Sequence, residues 1–249
     1  MLRLLNRFKR DMLSKGKIKN FLFYTVGEVF LVVVGILIAL QIDNWNREVQ
    51  EEKELKEYLI KIGDNISSDI KLADSLLQRR LKIKEICRQG LQAIHSGEGK
   101  NLGLVQKSIN LFADFEFSSK TGGYESLVTS GYISKLRKSS LDSLLFQYYL
   151  DIEDLQREEK SFNGFVEAME TEINTSFSLF SVYQSEMGYG ADDAAIQLAV
   201  REYFKLIPLQ NAFVRGSFQN AIIRRYRSLI KTGTLLQSEI KKQTTVGGR

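Results

Sequence analysis

Residues 21–42 read FLFYTVGEVFLVVVGILIALQI, twenty-two residues with one charge, Glu28. No other feature constrains this chain as strongly. A helix of that length covers about 33 Å, close to the ~30 Å hydrocarbon core of a bilayer. A core helix of a soluble domain keeps a polar face, and residues 29–40 have none. A cleaved signal peptide has an apolar run of roughly 7–15 residues and small residues at the cleavage site. Here the run is longer, and its exit reads Leu40-Gln41-Ile42-Asp43-Asn44-Trp45. The segment is therefore expected to be an uncleaved transmembrane helix.

The flanking charges predict its orientation. Residues 1–20 carry seven bases and one acid, whereas the twenty residues after the run carry four bases, Arg47, Lys53, Lys56 and Lys61. The positive-inside rule puts the N-terminus in the cytoplasm and the chain beyond Asp43 outside it. The 207 residues after Ile42 hold 28 bases and 28 acids, so the net charge of +5 arises N-terminal to them. A nucleic-acid partner, which needs a basic face on the folded part, is not expected. Within residues 1–13, Leu4, Leu5, Phe8 and Met12 share one side of a helical wheel, and Arg3, Arg7 and Arg10 the other. Such a segment either lies among anionic headgroups or serves only as the charged flank that sets topology.

At about 100° per residue, Tyr24, Gly27, Glu28, Leu31, Gly35, Ile38, Ala39 and Ile42 fall on one side of the span. Gly35 and Ala39, four residues apart, permit close backbone approach by a neighbouring helix. A carboxylate inside the hydrocarbon costs roughly 2.5–3.5 kcal/mol on insertion scales. Glu28 is therefore expected to be protonated, to reach back to the headgroups, or to face a helix partner. This face is the candidate membrane interface, made with a second copy of the chain or with another membrane protein, and membrane lipid is the remaining expected partner.

Beyond the span, Trp45, Val49, Glu52, Leu55, Leu59, Ile62, Ile66, Ile70, Ala73 and Leu77 recur at helical steps, and apolar residues continue to Ile94. No proline interrupts them, so the membrane helix is expected to run on as a stalk helix. Ser96-Gly97-Glu98-Gly99 reads as a turn. Residues 114–123 form the only plausible strand or ordered loop. Thr121 is a candidate N-cap, and Gly131 a stop, for a short helix. Ser139 or Ser140 caps a long helix through Leu141, Leu144, Leu145, Tyr148, Ile152, Leu155, Phe162, Phe165, Met169 and Ile173. A helix from about Asp192 is expected to stop at Pro208, and a last one to span 211–240. The fold class expected is all-α: a basic segment 1–20, a transmembrane helix 21–42, a stalk and first bundle helix 43–96, a helical bundle 97–243 and a disordered tail 244–249.

Charge is segregated in this region. Residues 142–193 hold twelve acids and two bases, and residues 201–249 ten bases and two acids. Either these stretches pack side by side with complementary surfaces, or Arg224, Arg225, Arg227 and Lys231 form a basic binding patch. Catalytic constellations are sparse. His95, the sole histidine, sits beside a glycine turn, and Cys87, the sole cysteine, lies on the helical stripe as a small core residue. Gly122-Gly123 and Gly97-Glu98-Gly99 lack the lysine and spacing of a phosphate loop. Asn65-Ile66-Ser67 fits a glycosylation sequon, a pattern too short to carry weight. No catalytic, cofactor or metal site is expected.

Two stretches resemble a known family. LFYTVGEVFLVVVGILIALQIDNWN, residues 22–46, is similar to the signature of an uncharacterised family of single-pass membrane proteins common in Bacteroidetes. YESLVTSGYISKLRKSSLDSLLFQYY, residues 124–149, resembles that family's second block, although Tyr132 stands where a smaller aliphatic residue is typical. The resemblance implies a Gram-negative inner membrane and a periplasmic domain, and brings no catalytic residues. The function expected is a non-enzymatic membrane-anchored scaffold or accessory subunit. The alternatives are a ligand sensor acting through a separate cytoplasmic partner, and an accessory subunit of an ion- or proton-coupled complex that uses Glu28.

Overall fold

The computed structural model describes residues 18–97, 102–184, 187–190 and 192–246. The amphipathic face of Leu4, Leu5, Phe8 and Met12 lies outside the described residues. The fold is all-α, with no strand among the described residues. Helix α1 spans Ile18–Ser96, and is followed by α2 (Leu102–Ser108), α3 (Gly122–Thr129), α4 (Ser140–Ser176), α5 (Phe180–Tyr183), α6 (Asp193–Lys205), α7 (Ile207–Ser217) and α8 (Asn220–Val246). Single 3-10 turns occur at Ile109–Leu111 and Tyr132–Leu136.

The chain divides into two units at Leu55/Lys56. In the first, the apolar run of α1 has no tertiary partner among the described residues. Phe23 and Leu31 are 72% and 71% exposed, and none of the most apolar stretch is buried. A helix this long and this apolar, left uncovered by the described residues, meets the length and composition requirements for crossing a membrane. Past Ile42 the surface turns polar, and Arg47 bridges Asp43 and Asn44 at 3.2 and 2.9 Å. Trp45 and Val49, which open the apolar series, are also exposed.

The second unit is built on three long helical segments: α1 from residue 56 onward, α4 and α8. On α1 a buried series runs through Leu59, Ile62, Ile66, Asp69, Ala73, Leu76, Arg80, Ile83, Cys87 and Gly90 in alternating steps of three and four, with Leu77 and Ile86 buried beside it. On α4 the same alternation runs through Leu141, Leu145, Tyr148, Ile152, Leu155, Glu159, Phe162 and Val166. On α8 it runs through Ile222, Tyr226, Leu229, Gly233, Leu236 and Ile240. This spacing keeps one stripe of each helix turned to its neighbours. Helix α4 packs most extensively on α8 and next on α7, which is also covered by α6.

Two glycines let α7 close onto α1. A methyl group at Gly90 would stand 2.6 Å from the Phe213 ring, and one at Gly216 would collide with Cys87 Sγ. The backbones approach there because neither position carries a side chain.

Local signals set the helix ends. The Asp142 N–H donates to Ser139 Oγ at 3.1 Å, so the cap expected at Ser139 or Ser140 forms at Ser139, and at the start of α6 the Ala194 N–H donates to the Asp192 carboxylate at 3.1 Å. Gly97 and Gly131 take left-handed φ values of 69° and 78° just past the helices they end. Thr121 occupies the cap position of α3, but its hydroxyl donates to Glu125 at 2.6 Å instead of accepting from the backbone.

Pro208 departs from the sequence expectation. It opens α7 from the first turn instead of merely stopping the preceding helix. The missing proline N–H costs nothing there, because first-turn donors have no intrahelical acceptor. The expected last helix is accordingly two helices, parted at Phe218 and Gln219. Ser217 Oγ and Gln219 Nε2 donate to the end carbonyls of Val214 and Gly216 at 2.8 and 2.9 Å. Helix α8 then continues through Val246, so Thr244 and Thr245 of the expected tail are helical, their hydroxyls bonded to the Ile240 and Lys241 carbonyls. Residues 247–249 lie outside the described residues.

Candidate functional site

Residues 113–121 connect the 3-10 turn after α2 to α3 without helix or strand, yet they are ordered by side chains from two helices. Burial alternates along the segment as in a strand: Phe117 is buried, Phe115 and Ser119 are half-buried, and Glu116, Ser118 and Lys120 are exposed. Main-chain polar groups in such a position need partners. Here side chains supply them where a strand ladder would. Arg80 of α1 donates to the Phe115 carbonyl at 2.7 Å. Gln156 of α4 donates to the Phe117 carbonyl at 3.2 Å, and the Phe117 N–H donates to Glu159 at 2.8 Å. At the other end Asp69 of α1 accepts from Ser119 Oγ at 2.6 Å and from the Lys120 N–H at 3.1 Å.

Three buried carboxylates anchor this arrangement. Asp69 also accepts from the Tyr148 hydroxyl at 3.1 Å, tying α1 to α4. Glu159 accepts from the Tyr226 hydroxyl and stands 3.8 Å from Arg80, so α1, α4, α8 and the segment meet at one carboxylate. Asp151 accepts from Ser228 and Thr232 of α8 at 3.2 and 2.7 Å. Arg80 bonds Asn163 Oδ1 at 3.2 Å, and its guanidinium lies 4.9 Å from the Phe162 ring centroid. Its Nε has no hydrogen-bond partner among the described residues.

Burial sets the electrostatics. It pushes the Glu159 carboxyl above its usual range, against the opposing pull of the Phe117 N–H, the Tyr226 hydroxyl and Arg80. Burial, together with the neighbouring carboxylate, also raises the Tyr148 and Tyr226 phenols, which therefore remain neutral donors. The Cys87 thiol is pushed up to about 12 by burial, which removes the thiolate that nucleophilic chemistry requires. Among the described residues no three His, Cys, Asp or Glu converge as metal ligands would. What this arrangement does chemically is to immobilise a surface segment.

The candidate residues read from sequence lie elsewhere. Tyr24, Gly27, Glu28, Leu31, Gly35 and Ala39 are all exposed on α1, and among the described residues nothing beyond the adjoining helix backbone comes within 4 Å of a Cβ built at Gly27 or Gly35. Arg225 pairs with Asp154 of α4 at 2.7 Å, as the complementary-charge reading requires. Arg224, Arg227 and Lys231 are exposed along the outer face of α8. His95 is exposed in the last turn of α1. The clamp residues Asp69, Arg80 and Glu159 were not legible as site residues, because charge on a helix reads as surface. The available signal was their register, since all three fall on the three-and-four series of their helices.

A protein-family model matches residues 28–163, described as a family of unknown function, DUF6090. The chain belongs to this family. No curated protein and no solved structure matches it. The DUF6090 span takes in Glu28 and most of the apolar run, Asp69, Arg80, the clamped segment, Gln156, Glu159 and Asn163. The α8 partners Tyr226, Ser228 and Thr232 lie beyond the DUF6090 span.

Proposed function

We propose that this chain is a non-enzymatic, single-pass inner-membrane protein whose helical domain lies in the periplasm and serves as a scaffold or accessory subunit for a protein partner. The observation that carries this reading is the use made of the buried ionisable groups. Asp69, Arg80 and Glu159 each bond the backbone or side chains of residues 115–120, which favours a domain built to hold a surface rigid. The exposed apolar run supports the anchor, and the seven-to-four asymmetry in flanking bases supports a cytoplasmic N-terminus.

Two measurements test it. Alkaline phosphatase fused after Arg249 should be active and green fluorescent protein at the same position dark; the reverse overturns the orientation. The full chain purified in mild detergent should carry a stoichiometric membrane partner or a second copy, identified by mass spectrometry and native mass. A monomer with no stoichiometric partner overturns the scaffold reading. A narrower reading, an accessory role in an ion- or proton-coupled complex, is favoured by Glu28, exposed on the span with no hydrogen bond or ion pair among the described residues. A co-purifying transporter or motor subunit would select it.

A further inference from the structure

The clamp leaves one edge of its segment open at Glu116 and Ser118, while Asp69 holds the Lys120 N–H at the end of it. In an extended chain the main-chain groups of successive residues point to opposite sides. The Phe115 carbonyl is taken by Arg80, and both main-chain groups of Phe117 by Gln156 and Glu159. The N–H and C=O groups of Glu116 and Ser118 meet no partner among the described residues, and both residues are exposed. An unpaired edge of this kind is a template for another strand. This one is held in place from behind by buried side chains, which lowers the ordering cost of pairing with it.

A depression of about 210 Å³, open to solvent, adjoins the start of the segment. Its lining combines Ile83, Ile86 and Phe115 with Asn110, Arg79 and Lys82. Arg79 lies over the Phe115 ring at 5.3 Å from its centroid. Neither Arg79 nor Lys82 forms an ion pair with a carboxylate among the described residues, although both are exposed beside an apolar floor. That combination suits an apolar side chain with a carboxylate next to it. The segment's own Asp114 and Glu116 are exposed and disfavour acids directly opposite them. Charge selection therefore comes from the α1 side.

We propose that the free edge at Glu116 and Ser118, with the depression beside Phe115, docks an extended peptide segment of a protein partner in which apolar residues alternate with carboxylates. Main-chain pairing supplies affinity, the apolar floor takes one side chain, and Arg79 and Lys82 select for acid. This rests on the reading of the helical domain as a partner-binding module and names the chemistry of the partner.

The test uses the full chain in detergent micelles and two blocked nonapeptides, one alternating valine with glutamate and the other valine with lysine. At about 1 mM the glutamate peptide should slow amide exchange at Glu116 and Ser118 about tenfold, and the lysine peptide should not. Reversing both rim charges, Arg79→Glu with Lys82→Glu, should exchange that preference; both residues are exposed, so the fold is not at stake. The proposal is overturned if neither peptide slows these amides or if both do equally. Protection that appears without peptide and fades on dilution would assign the edge to a second copy instead, and protection by phosphatidylglycerol bicelles alone would assign it to lipid. A peptide failure alongside a stoichiometric co-purified partner would overturn this surface and leave the scaffold reading standing, whereas absence of both would remove both.

Discussion

Arg80 of α1 and Glu159 of α4 face each other at 3.8 Å, each about 1% exposed, although 79 positions separate them in the chain. A bare pair at that distance would not offset the loss of hydration of two ions. It persists because each partner bonds the same intervening segment, Arg80 through the Phe115 carbonyl and Glu159 through the Phe117 N–H.

Breaking this pair from one side should be severe. Arg80→Met leaves Glu159 buried without its cation, and Glu159→Gln leaves Arg80 without its anion, each at a cost of about 3–5 kcal/mol. The double variant should cost less than the sum by roughly 0.5–3 kcal/mol. Urea unfolding followed by circular dichroism of the full chain in mild detergent measures all three. Strict additivity would mean that the two side chains act independently.

The pH dependence of this carboxyl has a definite sign. Burial holds the folded value of Glu159 above the ordinary 4.5, so the folded chain binds the proton more tightly than the unfolded chain. The contribution to stability therefore grows as pH falls from the folded value toward about 4.5 and is lost as pH rises through the folded value. Relative to Glu159→Gln, the wild-type chain should gain unfolding free energy on going from neutral toward that pH. A difference that slopes the other way would mean that attraction to Arg80 outweighs burial.

Glycine substitutions should separate close approach from mere helical cost. Gly90→Ala and Gly216→Ala push a methyl group against the Phe213 ring and Cys87 Sγ, and should cost about 1–3 kcal/mol each. Gly164→Ala, in the interior of α4 with nothing among the described residues beyond the adjoining helix backbone within 4 Å of the added carbon, should instead stabilise by about 0.5–1 kcal/mol. The same unfolding measurement orders the three. Destabilisation by Gly164→Ala would contradict the open surface at that position.

In membranes, Gly35→Ile and Glu28→Leu should each weaken assembly measured by cross-linking, whereas Val33→Ile should not. The first two change the side of the span that carries Tyr24, Gly27, Glu28, Leu31, Gly35 and Ala39, and Val33 faces elsewhere. If all three variants assemble like the parent, that face is not an interface.

The sequence by itself determined the features that local chemistry decides. The apolar run of residues 21–42, the helical class, the cap at Ser139, the helix start near Asp192 and the stops at Gly97 and Gly131 depend on residues within a few positions of one another. Pro208 was legible as a boundary, but not as the opening of a new helix, because a proline is compatible with both and packing of α7 against α4 chooses between them. Only the tertiary structure decided the clamp. Reading the α1 stripe from Ile66 through Ile70, Ala73 and Leu77 to Leu81 passes over Asp69 and Arg80, and the α4 stripe passes over Glu159 in the same way. Their steps of three and four were present in the sequence. What makes a charged side chain tolerable at a core position is a partner that restores the hydrogen bonds lost from water. Those partners, Phe115, Phe117, Ser119, Lys120, Tyr148 and Tyr226, lie 35 to 79 residues away. No pattern confined to a few turns of helix contains them, so only folding brought charge and partner together.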